Sequence, residues 1–211
     1  MCVNLPPHDT SAVSHAVRMA YHLAGIDVEC HPCLREAKPQ WHIDMHNGSM
    51  PCLAPNGLND GTGSMSDSLT IAKVALPSGP LDDAAMACSQ GLFPAIAKLI
   101  KNTDPECQGA DVELRQNLDA ALAKLETLLV ETQNPFFSGT HPGLADSLIA
   151  TKLYVLSIAA AHYKSYTLDL AKHPALVAYE KRVAALPAFT ETQYDANDAI
   201  LGWGEARGGG H

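Results

Sequence analysis

The sequence predicts an α/β region followed by an all-helical one. Short alternating segments and a single amphipathic helix fill the first third. The run Pro77-Ser78-Gly79-Pro80 then breaks the chain, and long helix-period segments follow it. The chain has 211 residues, of which 46% are hydrophobic. That length allows one large domain or two small ones, with a real core. Residues 1–76 are expected to form the α/β unit, 77–81 a linker and 82–211 the helical unit.

Each element has a local reason. Residues 12–25 read as a helix because Ala16, Met19, Ala20, Leu23 and Ala24 recur at helical spacing and Gly25 supplies a stop. Ile26 to Cys30 alternates and predicts a strand. Pro39-Gln40-Trp41 opens a short helix or loop. Gly48 to Leu53 predicts a turn and then a strand, and 56–63 is turn-forming by composition. Ser66-Asp67-Ser68 has the chemistry of a helix start, with the helix running to Leu76. In the second region, 83–101 and 111–131 predict long helices, the latter with Leu114, Leu118, Leu122, Leu125 and Leu129 in register. Residues 146–163 are apolar on nearly all sides and predict a buried central helix. Shorter helices are expected at 174–186 and 194–201. A βαβ–ββα region ahead of helices is the layout of a thioredoxin-like domain joined to a helical bundle.

Composition narrows the partners. A formal charge of −9 argues against nucleic acid and against an anionic membrane surface, since both recruit clustered Lys and Arg. No spanning helix is expected. The N-terminal residues carry neither a secretory signal nor the Arg- and Ser-rich bias of a transit peptide, so a cytoplasmic protein is expected. The six cysteines are then thiols. Gly208-Gly209-Gly210-His211 has nothing to bury, so a frayed tail is expected. Cys30-His31-Pro32-Cys33 follows a second strand rather than opening a helix, which disfavours a redox dithiol. His22, His31 and His42 lack a second cysteine pair to complete a tetrahedral site, so no metal is expected.

The segments Pro135-Phe136-Phe137-Ser138-Gly139, Leu144-Ala145-Asp146, Lys152-Leu153-Tyr154, Ala161-His162-Tyr163-Lys164, Leu186-Pro187-Ala188-Phe189 and Leu201-Gly202-Trp203 occur in one order and spacing. That series resembles the helical domain of plant and algal dehydroascorbate reductases, a branch of the glutathione transferase superfamily. The resemblance implies a glutathione transferase fold, glutathione-dependent reduction of dehydroascorbate, and no metal. The implied partners are glutathione and dehydroascorbate, acting on a monomer. It also assigns residues. Met50-Pro51 resembles the superfamily's cis-proline turn, where the backbone before the proline pairs with the cysteinyl part of glutathione. Asp67 and Ser68 resemble the pair that receives the γ-glutamyl group. A hydroxyl and helix amides suit its carboxylate, and Asp67 suits its ammonium. Lys38-Pro39-Gln40-Trp41 matches a run typical of the reductases and puts Lys38 on the glycyl carboxylate. In Gly143-Leu144-Ala145-Asp146 the family's Ser or Thr cap is Gly143, and Asp146 keeps a structural reach-back.

The resemblance fails at one place. Aligned back from Trp41, Ser11-Ala12-Val13-Ser14 stands where the family has Cys-Pro-Phe-Ser. A serine hydroxyl cannot enter thiol–disulfide exchange. Only Leu5 to Thr10 separate Ser11 from Met1-Cys2-Val3-Asn4, which resembles the first strand, and the family's loop is longer. Three readings stay open: a reductase impaired at Ser11 or using Cys2 or Cys52, a transferase in which Ser11 hydrogen-bonds the glutathione thiolate, and a non-catalytic module such as those attached to translation factors.

Overall fold

A computed structural model describes residues 2–5, 11–32, 38–56, 60–103 and 108–209. The first region is a four-stranded sheet with strand order β2-β1-β3-β4, made of β1 (Cys2–Leu5), β2 (Glu29–Pro32), β3 (Cys52–Ala54) and β4 (Met65–Ser66). β1 runs parallel to β2 and antiparallel to β3, and β3 is antiparallel to β4. Helix α1 (Ala12–Leu23) crosses from β1 to β2, α2 (Gln40–His46) precedes β3, and α3 (Ser68–Ala75) follows β4.

α1 ends as its glycine requires. Gly25 has φ +66, its N–H donates to the His22 carbonyl, and the Ile26 N–H reaches back to Tyr21. This Schellman closure holds Ile26 in the helix terminus. The second strand therefore starts at Glu29, three residues later than the alternation suggests. Val17 and Tyr21 of α1 meet Leu53 of β3 and Ile71 of α3 in a small core against the sheet.

The second region is helical: α4 (Pro80–Cys88), α5 (Leu92–Lys101), α6 (Gln108–Thr132), α7 (Leu144–Val155), a π-type turn (Leu156–Ala160) running into α8 (Ala161–Lys164), then α9 (Pro174–Ala184), α10 (Pro187–Thr190) and α11 (Ala196–Gly204). The expected single helix over 83–101 is two helices. The break falls where Ser89 Oγ donates to the Met86 carbonyl and Gly91 precedes α5. Pro94 then sits in the first turn of α5, where no amide donor is needed. Ahead of the glycine tail, Arg207 of the final π-type turn (Glu205–Gly209) is tied down, its guanidinium 4.4 Å from the Tyr163 ring centroid and donating to the Ile100 carbonyl, while Gly210 and His211, where fraying is expected, lie outside the described residues.

The stretch 144–164 is the spine of the bundle. By length and composition it is apolar enough to cross a membrane, contrary to expectation, but 67% of its most apolar window is buried inside the protein. Its first part, Leu144 to Thr151, is buried at every position, while Ser157 and His162 reach solvent. Ala16 and Ala20 of α1, Ala72 of α3, and Leu144 and Leu148 of α7 form the seam between the two regions.

Candidate functional site

The strand register assembles one end of the sheet. Cys52 pairs with both Asn4 and Ser66. Pro51 precedes Cys52 and Asp67 follows Ser66, so both leave the β3–β4 pair at the same end. The Met50–Pro51 bond is cis. Asp67 has φ 121 and ψ 112, a conformation non-glycine residues rarely adopt. Such a residue costs roughly 1–3 kcal/mol and is kept where the surroundings impose it. Asp67 Oδ1 takes both Thr70 donors, the amide at 2.8 Å and the hydroxyl at 2.7 Å. Its Oδ2 has no hydrogen-bond partner among the described residues. Ser68 begins α3, so the first free amides of that helix lie beside Pro51.

Lys38 stands just ahead of α2. Its ammonium donates to the Gly48 carbonyl at 2.5 Å, which uses one of three donors. Trp41 fixes the facing turn. A Cβ on Gly61, which has φ +70, would stand 2.3 Å from the Trp41 ring.

Ser11 is the N-cap of α1, half-buried, with no side-chain cap bond. Ser11 and Ser68 line two neighbouring cavities among the described residues. A cavity of about 440 Å³ opens between α1, α3, α4 and α7, lined by Ala12, Val13, Ser68, Met86, Gln90 and Lys152 among others. A neighbouring one of about 310 Å³ is lined by Ser11, Val13, Phe93, Lys101 and Trp203. Ala12, Val13 and Phe93 belong to both. The first turn of α1 and Phe93 thus form a wall common to the two cavities.

Cys52 is fully buried in β3, and burial pushes its thiol up to about 11. Both features disfavour the reading in which Cys52 substitutes as nucleophile. Cys30 is exposed on β2, two strands from β3. Cys88 is half-buried in α4. The side chains of Cys2 and Cys33 lie outside the described residues. Among the described residues no cysteine stands at the start of α1.

The wall carrying Lys152 is set by two carboxylates. Asp146 accepts from the amides of Gly143 and Phe137, both at 2.9 Å, and of Ser138 at 3.1 Å. Burial raises its pKa, and these bonds oppose that shift. Gly143 has no side chain to complete the cap, so Asp82 of α4 takes that place. Asp82 Oδ1 accepts from the Ala145 amide at 2.8 Å and from Ser138 Oγ at 2.6 Å. Sequence reasoning missed Asp82 because it lies 63 residues from its partner. Lys152 and Gln90 were missed as cavity residues as well. The visible signal was a lone cation in an otherwise apolar helix.

With this geometry, comparison with known proteins gives a consistent family. Residues 93–182 match the family described as "Glutathione S-transferase, C-terminal domain". "Glutathione S-transferase DHAR2" of Arabidopsis thaliana is 25% identical over 167 residues, 79% of this chain and 76% of that protein. The dehydroascorbate reductase structure of Chlamydomonas reinhardtii superposes with a TM-score of 0.78 at 22% identity, covering 97% of each chain. The Tau class glutathione S-transferase MiGSTU of mango, Mangifera indica, gives 0.79 at 18% identity, over 98% of this chain and 97% of that one. The chain has the glutathione transferase fold and is similar in sequence to members of the glutathione transferase superfamily. Among the proteins it resembles are several of the dehydroascorbate reductase type.

Proposed function

We propose that the chain binds glutathione and uses it to reduce dehydroascorbate, with the thiolate of bound glutathione as nucleophile in place of a protein thiol. The observation that carries this is Asp67, held in a rarely adopted conformation at the N-cap of α3 with its Oδ2 open beside the helix amides that begin at Ser68. Met50 presents backbone to the cysteinyl part of glutathione. Asp67 Oδ2 and Ser68 take the γ-glutamyl ammonium and carboxylate, and the spare donors of Lys38 take the glycyl carboxylate. The amides at the start of α1 and the Ser11 hydroxyl stabilise the thiolate.

The thiolate adds to a carbonyl carbon of dehydroascorbate, forming a C–S bond and an alkoxide that takes a proton. A second glutathione thiolate attacks that sulfur, forming the disulfide. The C–S electron pair passes into the ring as the enediolate of ascorbate. Two glutathiones are oxidised and one dehydroascorbate is reduced, with protons balanced by water. Free thiols at Cys30, Cys52 and Cys88 suit a reducing compartment, and we place the protein in the cytoplasm as a monomer. Residues 1–76 and 82–211 are its two units, joined by 77–81.

A second reading rests on Ser11 itself: a Ser-type transferase with another electrophile. Steady-state reduction of dehydroascorbate by glutathione, beside conjugation of a chlorinated nitrobenzene, separates the two. The reductase reading expects the first activity to dominate and to fall in Ser11→Ala. Conjugation without reductase activity selects the transferase. Glutathione binding without either leaves a binding module.

A further inference from the structure

Lys152 lines the 440 Å³ cavity beside Ser68 without a partner. It is half-buried, and it makes no hydrogen bond or ion pair with any described residue. Burial pulls its pKa below the usual lysine value, and no charged neighbour contributes to the shift. Of the cavity's other polar side chains, Ser68 and Gln90 remain open to a ligand while Ser89 and Thr151 are committed. Ser89 Oγ donates to the Met86 carbonyl and Thr151 Oγ1 to the Ser147 carbonyl, each at 3.0 Å. Among the described residues the cavity's one carboxylate is Asp83, which is exposed on α4 and accepts from Ser78 Oγ at 2.5 Å. The remaining surface is mainly apolar and of a size that takes small ligands. A buried ammonium without a partner costs stability, and an anion entering the cavity would repay that cost.

The structure assigns Lys152 as the anion-holding residue of the second-substrate cavity, which takes a small organic molecule bearing negative charge on oxygen. The assignment rests on the proposed function only for the identity of that molecule. Ascorbate leaves the reaction as a monoanion, so Lys152 would hold the charge that develops as the C–S bond breaks. Ser68 places this cavity against the γ-glutamyl end of the glutathione site, so both substrates share one wall.

The test uses the full chain and two anions, anilinonaphthalenesulfonate followed by fluorescence and ascorbate as its competitor. Lys152→Met and Lys152→Gln should weaken both by about tenfold, in line with loss of a charge-assisted contact. Lys152→Arg should retain most of the affinity. Glutathione affinity should stay as in wild type, and the melting temperature of Lys152→Met should hold or rise because an unpaired buried charge is gone. Wild type that binds neither anion, or Lys152→Met and Lys152→Gln that bind both like wild type, would overturn the assignment. Wild type that binds the sulfonate but not glutathione would sink the glutathione reading and leave Lys152 in place.

Discussion

A Cβ added to Gly143 would meet the Ser138 side chain at 2.7 Å. The backbone there is extended, so space alone excludes a side chain. Gly143→Ala should therefore cost about 1–3 kcal/mol by overpacking. A denaturant midpoint reads it, and adding Ser138→Gly should recover part of the loss. At Ser11 the expected effect is chemical. Ser11→Cys puts a thiol at a helix N-terminus, where its pKa falls. The dehydroascorbate reduction rate should rise, and iodoacetamide should then inhibit it. An unchanged rate would show that position 11 is out of reach of the substrate. The cap role of Asp67 was legible in the sequence because it is a local event, set within a few residues, whereas the cis bond at Pro51 was legible only through the family resemblance. The isolation of Lys152 was not, since it depends on what four separate elements leave empty around it.

Among the elements, α7 is one whose start is set from outside, as α9 is by Glu126 of α6. Its first turn bonds to Asp82, which belongs to α4, so the two helices begin as one unit. Asp82→Ala leaves the Ala145 amide and Ser138 hydroxyl without their acceptor, at a cost of roughly 1–3 kcal/mol each for a buried group. Hydrogen exchange should show faster opening at Ala145 and Ser147 while α6 stays protected. Equal rates at both would mean that α7 is capped by other means. Periodicity revealed α1, α3, α6 and α9 to within a few residues. It merged α4 with α5, because Ser89 and Gly91 break the path without interrupting the apolar period. It also gave no sign of the π-type turn at Leu156–Ala160, which leaves the sequence equally apolar on either side.

For the whole molecule, stability should depend on pH through Glu180. It lines a cavity of about 310 Å³ between α7, α9 and α10, and burial pushes its carboxyl up to about 7 from an ordinary 4.5. The folded chain therefore holds a proton that the unfolded chain has released. Stability from this group is full below pH 4.5 and is lost as the pH rises through about 7. Glu180→Gln should raise the melting temperature at pH 8 and leave it nearly unchanged at pH 4. An equal shift at both would assign the effect to packing instead. The overall architecture was readable because its two halves differ in period. The seam between them was not, since Ala16, Ala20 and Ala72 are weak signals singly and form a surface only when α7 covers them.

The chain has two tryptophans, and the fold sends them to different places. Trp41 presses on Gly61 near Lys38, while Trp203 lies beside Phe93, ring centroids 6.2 Å apart, on the cavity that Ser11 faces. The molecule thus carries its own pair of optical probes. In Trp203→Phe the emission comes from the Lys38 side alone, and in Trp41→Phe from the Ser11 side alone. Glutathione arriving by its glycyl end should change the first signal, and a molecule entering beside Ser11 the second, so the order of arrival becomes visible in a stopped-flow trace without any added label.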